Sequence, residues 1–306
     1  MDSVFETWVL ITVVAAFFQN ARSALQKALK DELSNSGATY VRFAFGVPFA
    51  LLYLFGLASW LDAPLPGPGL SFFLYGGIGG LAQILGTAAL LHAVSFRSFA
   101  VGTAYSKTEP IQAAAFGALV LGEGVGETAG VALVISLAGV LVLGLAQSGL
   151  SVRSLPSLLL DKGAGLGLAS GALFGIAAVC YRGASLSLDT GEGPYLRAGF
   201  TLACVIVFQA TLMTVHLWLR EPGQLRRVFR AWKPGVRVGL FGAMASMGWF
   251  TAMTMQNSAY VRAVGQLELV FALGASWLFF RERISRLELA GIAAVIGGIL
   301  LLILRG

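Results

Sequence analysis

Residues 100–145 read AVGTAYSKTEPIQAAAFGALVLGEGVGETAGVALVISLAGVLVLGL, and residues 259–304 read AYVRAVGQLELVFALGASWLFFRERISRLELAGIAAVIGGILLLIL. Setting Glu109 on Glu268 brings Glu123 onto Glu282 and Gly139 onto Gly298, every pair 159 positions apart without a gap. Each copy holds an apolar segment with one acid near its middle and a second acid just past its end. A glycine-bearing apolar segment follows. The chain is therefore built from an internal repeat, and everything else is read around it.

Of the 306 residues, 57% are hydrophobic and 12% are charged. A soluble domain carries roughly 25% charged residues, so the composition implies a polytopic membrane protein. The net charge of +6 does not point to nucleic acid. The basic residues stand in short connectors between apolar runs, where membrane topology puts them, and not on a basic soluble face. Cys180 and Cys204 lie inside apolar segments without CxxC spacing and read as small hydrophobes. Asp2 and Glu6 stand where a signal peptide would carry a basic region.

A membrane-crossing helix needs about 20 mostly apolar residues. Ten segments qualify, at roughly 4–26, 40–61, 71–94, 98–121, 127–148, 163–184, 194–219, 236–257, 261–281 and 285–304. The expected fold is thus an all-α integral membrane protein of ten transmembrane helices. It divides into two five-helix repeats, 1–150 and 151–306, and YVRFAF at Tyr40 answers YLRAGF at Tyr195 in the second helix of each. An odd number of crossings per repeat inverts the second copy, an arrangement of secondary transporters with a site at the midplane between the repeats. Setting aside Arg22 and Lys107, which fall within segments, connectors after odd-numbered segments hold fifteen Lys and Arg residues against four on the other side, Arg182, Arg197, Arg262 and Arg305, which places both termini outside the cytoplasm. A plasma (inner) membrane location is expected. Residues 219–233 mix five cations with Leu225, Val228, Phe229 and Trp232, as a short helix lying on an anionic leaflet would.

An ionised carboxylate at mid-bilayer costs about 2.5–3.5 kcal/mol on insertion scales. Glu109 and Glu268 must therefore face a cavity, pair with a cation or be protonated. They either carry a coupled proton or hold the repeats together. Tyr105, Glu109 and Gln112 follow i, i+4, i+7 spacing and share a helix face. Lys107 points away from Glu109, whose partner is expected to be Arg22 or a cation from another helix. Gln19 and Ser23 on the first segment, Gln83 on the third, Ser246 and Trp249 on the eighth, and Gln266 beside Glu268 complete a candidate cavity. Each of these has a structural alternative in interhelical hydrogen bonding or core packing. Glu123 and Glu282 stand just before apolar helices and read as caps of free N–H groups. Gly163, Gly167, Gly171 and Gly175 suit a close helix contact.

The repeat, the mid-segment Glu109-Pro110 pair and Leu121-Gly122-Glu123, answered by Phe280-Arg281-Glu282, resemble the drug/metabolite transporter superfamily. The resemblance is to its ten-helix EamA-type members, including the YddG-like amino-acid and metabolite exporters, and covers essentially the whole chain. It implies a transporter fold and, by family frequency, export of small amphipathic metabolites, amino acids and aromatic ones among them. A nucleotide-sugar or organic-phosphate-like exchanger and a metabolite importer are the alternatives within the superfamily. Leu269 stands where the first copy has Pro110, so a helix break there is expected on one side only.

No GxxxxGK[ST] sequence is present, which argues against ATP-driven transport by this chain. An integral-membrane transferase would need clustered His, Asp or Cys, and the two histidines are some 120 residues apart. The chain is expected to be no enzyme and to need no cofactor or metal. Its expected partners are the lipid bilayer and a small-molecule metabolite, with no nucleic acid; monomer and homodimer both stay open.

Overall fold

A computed structural model of the chain describes residues 7–29, 32–95, 103, 105–148, 162–188, 193–280 and 285–305. Among the described residues every regular element is a helix. They are α1 (Thr7–Ala28), α2 (Asn35–Ala44), α3 (Val47–Leu61), α4 (Leu70–Ser95), α5 (Glu109–Leu121), α6 (Glu127–Ser148) and α7 (Lys162–Leu186). The rest are α8 (Pro194–Arg220), α9 (Gln224–Arg230), α10 (Trp232–Met255), α11 (Ser258–Val264), α12 (Leu267–Phe280) and α13 (Arg286–Arg305).

Among the described residues eight helical stretches are long and apolar enough to cross a membrane, with α2 and α3 together forming one of them. The expected spans 98–121 and 261–281 take a different form, because both are interrupted. In the first, a turn at Lys107 and Thr108 precedes α5, which Pro110 opens. Proline needs no helical N–H partner in a first turn, so it starts a helix where it would break one's interior. In the second, α11 stops at Gly265 and α12 starts at Leu267. The one-sided break expected from Leu269 is therefore corrected: both copies break, the second at Gly265 without a proline. Phe45 and Gly46 likewise divide α2 from α3, with Pro48 in the first turn of α3.

Other ends follow local chemistry. Gly122 takes φ 70°, and the Glu123 N–H closes α5 onto the Gly117 carbonyl at 3.1 Å. Only glycine enters that left-handed region without cost. Ser285 and Glu288 form a reciprocal capping box on α13: the Ser285 N–H donates to Glu288 Oε2 at 2.7 Å and the Glu288 N–H to Ser285 Oγ at 3.2 Å. The expected surface helix is α9, with Val228 buried and Phe229 exposed. Trp60, Trp218, Leu119 and Leu52 are among the large apolar side chains left outward, as a lipid-facing surface requires.

The chain forms two compact units. Unit 1 comprises 1–10, 82–179 and 256–306, and unit 2 comprises 11–81 and 180–255. Within unit 2, Leu54, Leu196 and Ala203 form one apolar cluster and Phe72, Ala184 and Leu188 another. Within unit 1, the two copies of the opening repeat pack on each other.

Candidate functional site

That packing has a two-fold character at atomic detail. A β-carbon on Gly139 of α6 would lie 2.7 Å from the Val295 N and 2.8 Å from the Gly291 O of α13. A β-carbon on Gly298 would lie 2.8 Å from both the Ser136 N and the Ala132 O of α6. Ser136 and Val295, like Ala132 and Gly291, are themselves 159 positions apart. The contact is thus the same in both directions. Late residues of α6 meet early residues of α13, so the helices run antiparallel. Glycine is required at both crossing points because backbone atoms lie under 3 Å from each β-position and cannot move aside.

One helix earlier in each copy stand the two carboxylates. Arg262 of α11 donates through Nε to Glu109 Oε1, and Lys107 donates through Nζ to Glu268 Oε1. Each carboxylate of one copy is therefore held by a cation of the other. Gln266 Nε2 donates to the Lys107 carbonyl at 3.1 Å. Residues 107 and 266 are equivalent in the repeat, so this hydrogen bond sits close to the local two-fold. Glu109 opens α5 and Glu268 lies in the first turn of α12. Both are twelve residues from the far ends of their helices, Leu121 and Phe280, about 18 Å at 1.5 Å per residue. Anions at these half-helix starts also meet the positive end of the helix dipole.

Tyr105 is buried before the break, and its carbonyl accepts from the Thr108 hydroxyl at 2.7 Å. The turn at 107–108 interrupts the helical face expected for Tyr105, Glu109 and Gln112. Gln112 Nε2 donates to Thr108 Oγ1 at 2.6 Å. Among the described residues the Oε1 atoms of Gln112 and Gln266 are buried without a hydrogen bond. Gln83 is half-buried on α4. Gly171 and Gly175 of the expected stripe face this region: β-carbons there would lie 2.9 Å from the Ser106 carbonyl and 3.1 Å from the Ala113 N.

Unit 2 gathers the other expected residues. The Trp249 indole N–H donates to Gln19 Oε1 at 2.9 Å, and Ser23 Oγ donates to the Gln19 carbonyl at 2.8 Å. Trp249 is buried and Ser246 half-buried. Glu123 lies in the connector before α6, whose first turn holds Glu127 instead; Glu282 falls outside the described residues.

Sequence reasoning missed three features. Arg262, assigned to a connector, lies within α11 and partners Glu109. Arg182, also assigned to a connector, lies within α7 and caps α10 through the Met253 and Thr254 carbonyls at 2.7 and 3.2 Å. The capping box of α13 was spelled out by Ser285-x-x-Glu288 and went unread.

No curated protein matches the chain. Among solved structures 28 chains match. One, described only as a crystal structure of a protein, superposes with a TM-score of 0.67 at 18% identity, covering 97% of each chain, which establishes the fold alone. The sequence itself matches one family twice, over residues 6–145 and again over 161–304, the two repeats around which unit 1 is paired. The chain belongs to the EamA-like transporter family, of the drug/metabolite transporter superfamily, and is a membrane transporter.

Proposed function

We propose that this transporter is a secondary carrier that exports small amphipathic metabolites, amino acids including aromatic ones first among them, by alternating access. In this reading ten crossings form two inverted five-helix repeats, and the antiparallel α6–α13 contact supports the inversion. Both termini face outward on the Lys and Arg bias. Within unit 1 the candidate substrate contacts are Gln83, Tyr105, Glu109, Gln112, Gln266 and Glu268, and within unit 2 they are Gln19, Ser23, Ser246 and Trp249. The buried Oε1 atoms of Gln112 and Gln266 offer acceptors for a substrate ammonium.

The observation that carries the reading is the pair of carboxylates at broken-helix starts, each bound to a cation of the opposite repeat. A proton arriving at Glu109 or Glu268 removes the charge that holds Arg262 or Lys107. Proton binding and release of a contact between the repeats are then one event, which is what coupling needs. A proteoliposome assay with labelled amino acids under an imposed pH gradient tests this. Glu109→Gln and Glu268→Gln should each abolish the dependence of flux on the gradient. Unchanged dependence in both variants would remove these residues from the coupling site.

A further inference from the structure

Unit 2 carries a second set of charges that the ion pairs of unit 1 do not involve. Arg22 of α1 and Arg42 of α2 approach the same point on α10. A β-carbon on Gly242 would lie 3.3 Å from Arg22 Cδ and 3.8 Å from Arg42 Cβ. Both residues are half-buried, and the Nε atoms of both are shut off from solvent.

The helices that present them are tied in place. The Gln26 amide donates to the Ala38 carbonyl at 2.6 Å, joining α1 to α2. The Gln19–Trp249 hydrogen bond joins α1 to α10, and the Tyr40 and Thr214 hydroxyls, 2.7 Å apart, join α2 to α8. Two like charges are therefore held together by a fixed framework.

Charge composition sharpens the point. The described acids of unit 2, Glu32, Asp62 and Glu221, fall outside its helices, whose sequences hold no Asp or Glu. Those helices contribute cations only. Arg22 stands six residues before the end of α1 and Arg42 seven after the start of α2, about 10 Å in from the connector they share. At that end α9 runs alongside α2: Ser34 Oγ donates to Glu221, and Gln224 Cγ would lie 3.1 Å from a β-carbon on Gly37. Arg226, Arg227 and Arg230 of α9 are exposed there. The result is a basic rim with two half-buried arginines below it.

Ionisable groups at membrane depth mark pathways and ligand sites. A guanidinium presents a planar fork of N–H donors that matches a carboxylate or phosphoryl group, and a rim of cations concentrates anions at its mouth. We propose that Arg22 and Arg42 form a binding site for an oxyanion, the carboxylate or phosphoryl group of a transported metabolite. The site rests on the transporter reading above and specifies a charge that the substrate carries.

The test is equilibrium dialysis of the full chain in neutral phosphatidylcholine nanodiscs against radiolabelled benzoate and, separately, inorganic phosphate. Saturable binding of at least one anion is expected, weakened at least about 30-fold by Arg22→Gln and by Arg42→Gln, as loss of a half-buried charged partner implies. Arg226→Gln should leave the number of sites unchanged and reduce the salt dependence of affinity. Where a Gln variant fails to fold, the Lys variant carries the test, since it keeps the charge without the fork and should bind more weakly than the native chain. Equal affinity in native and Gln forms, or no saturable binding of either anion, overturns the site. Phospholipid retained through purification by the native chain and lost from both Gln variants, with neither soluble anion bound, overturns the assignment to a metabolite in favour of a lipid headgroup. Because dialysis needs no flux, the two readings fail separately. Anion binding without flux of any solute would sink the transporter mechanism, while intact flux with binding insensitive to Arg22 would sink the oxyanion site.

Discussion

Glu109 and Glu268 were legible as special because each is a lone carboxylate in an apolar run. Their partners were not. Lys107, two positions from Glu109, stands in the turn before α5 and pairs with Glu268. Arg262 was counted with the connectors although it stands at the start of the expected span 261–281, and it lies in α11 ahead of the break at Gly265. Partner choice depends on how two distant helices are rotated against each other, and no local spacing encodes that. The pairs are well enclosed, with side-chain exposures of 19% and 9% for Arg262 and Glu109. Removing one member of such a pair leaves an uncompensated charge, costing about 3–5 kcal/mol, while removing both costs less. Thermal unfolding in detergent should therefore show Arg262→Gln more destabilised than Glu109→Gln/Arg262→Gln, with a coupling energy of roughly 1–3 kcal/mol. Additive effects of the two substitutions would mean that the contact is not energetically closed.

At the scale of elements, the repeat in sequence becomes a repeat in contacts. Gly139 and Gly298 were aligned as landmarks before any packing was known, and they prove to be the two crossing points of α6 on α13. Their role could not be read earlier, since a glycine in an apolar helix marks close approach without naming what approaches. Gly139→Ala and Gly298→Ala should each destabilise the chain by about 1–3 kcal/mol, the usual cost of overpacking. Gly297, adjacent to one of them, has nothing within 4 Å of its β-position. Gly297→Ala should be neutral or stabilising by up to about 1 kcal/mol. Melting temperatures of the three purified variants check this directly; equal losses at 297 and 298 would contradict the crossing. The broken spans belong to this scale as well. Pro110 announced one break, whereas the break at Gly265 follows from a residue that helices in lipid often tolerate.

For the whole molecule, the bias of Lys and Arg toward one set of connectors makes a prediction about sidedness. It places the C-terminus outside the cytoplasm. A C-terminal reporter active only in the cytoplasm should be silent, and the same reporter inserted between α8 and α10, beside Arg226 and Arg227, should be active. The opposite pattern would reverse the membrane orientation while leaving the fold intact. The basic mouth formed by α9 would then face outward, and the direction of anion capture would reverse with it.

The sequence by itself determined that the chain lives in a membrane, that it is built twice, and which residues carry charge into apolar runs. Composition, periodicity and repeat spacing are local or additive properties, and each survives without coordinates. Only the tertiary structure decided that the repeated segments pack antiparallel on each other, that Glu109 takes Arg262 while Glu268 takes Lys107, and that Arg22 and Arg42 converge on Gly242. These depend on the mutual rotation and depth of helices far apart in the chain. They are set by where small residues let backbones approach, a condition that the packed molecule alone satisfies.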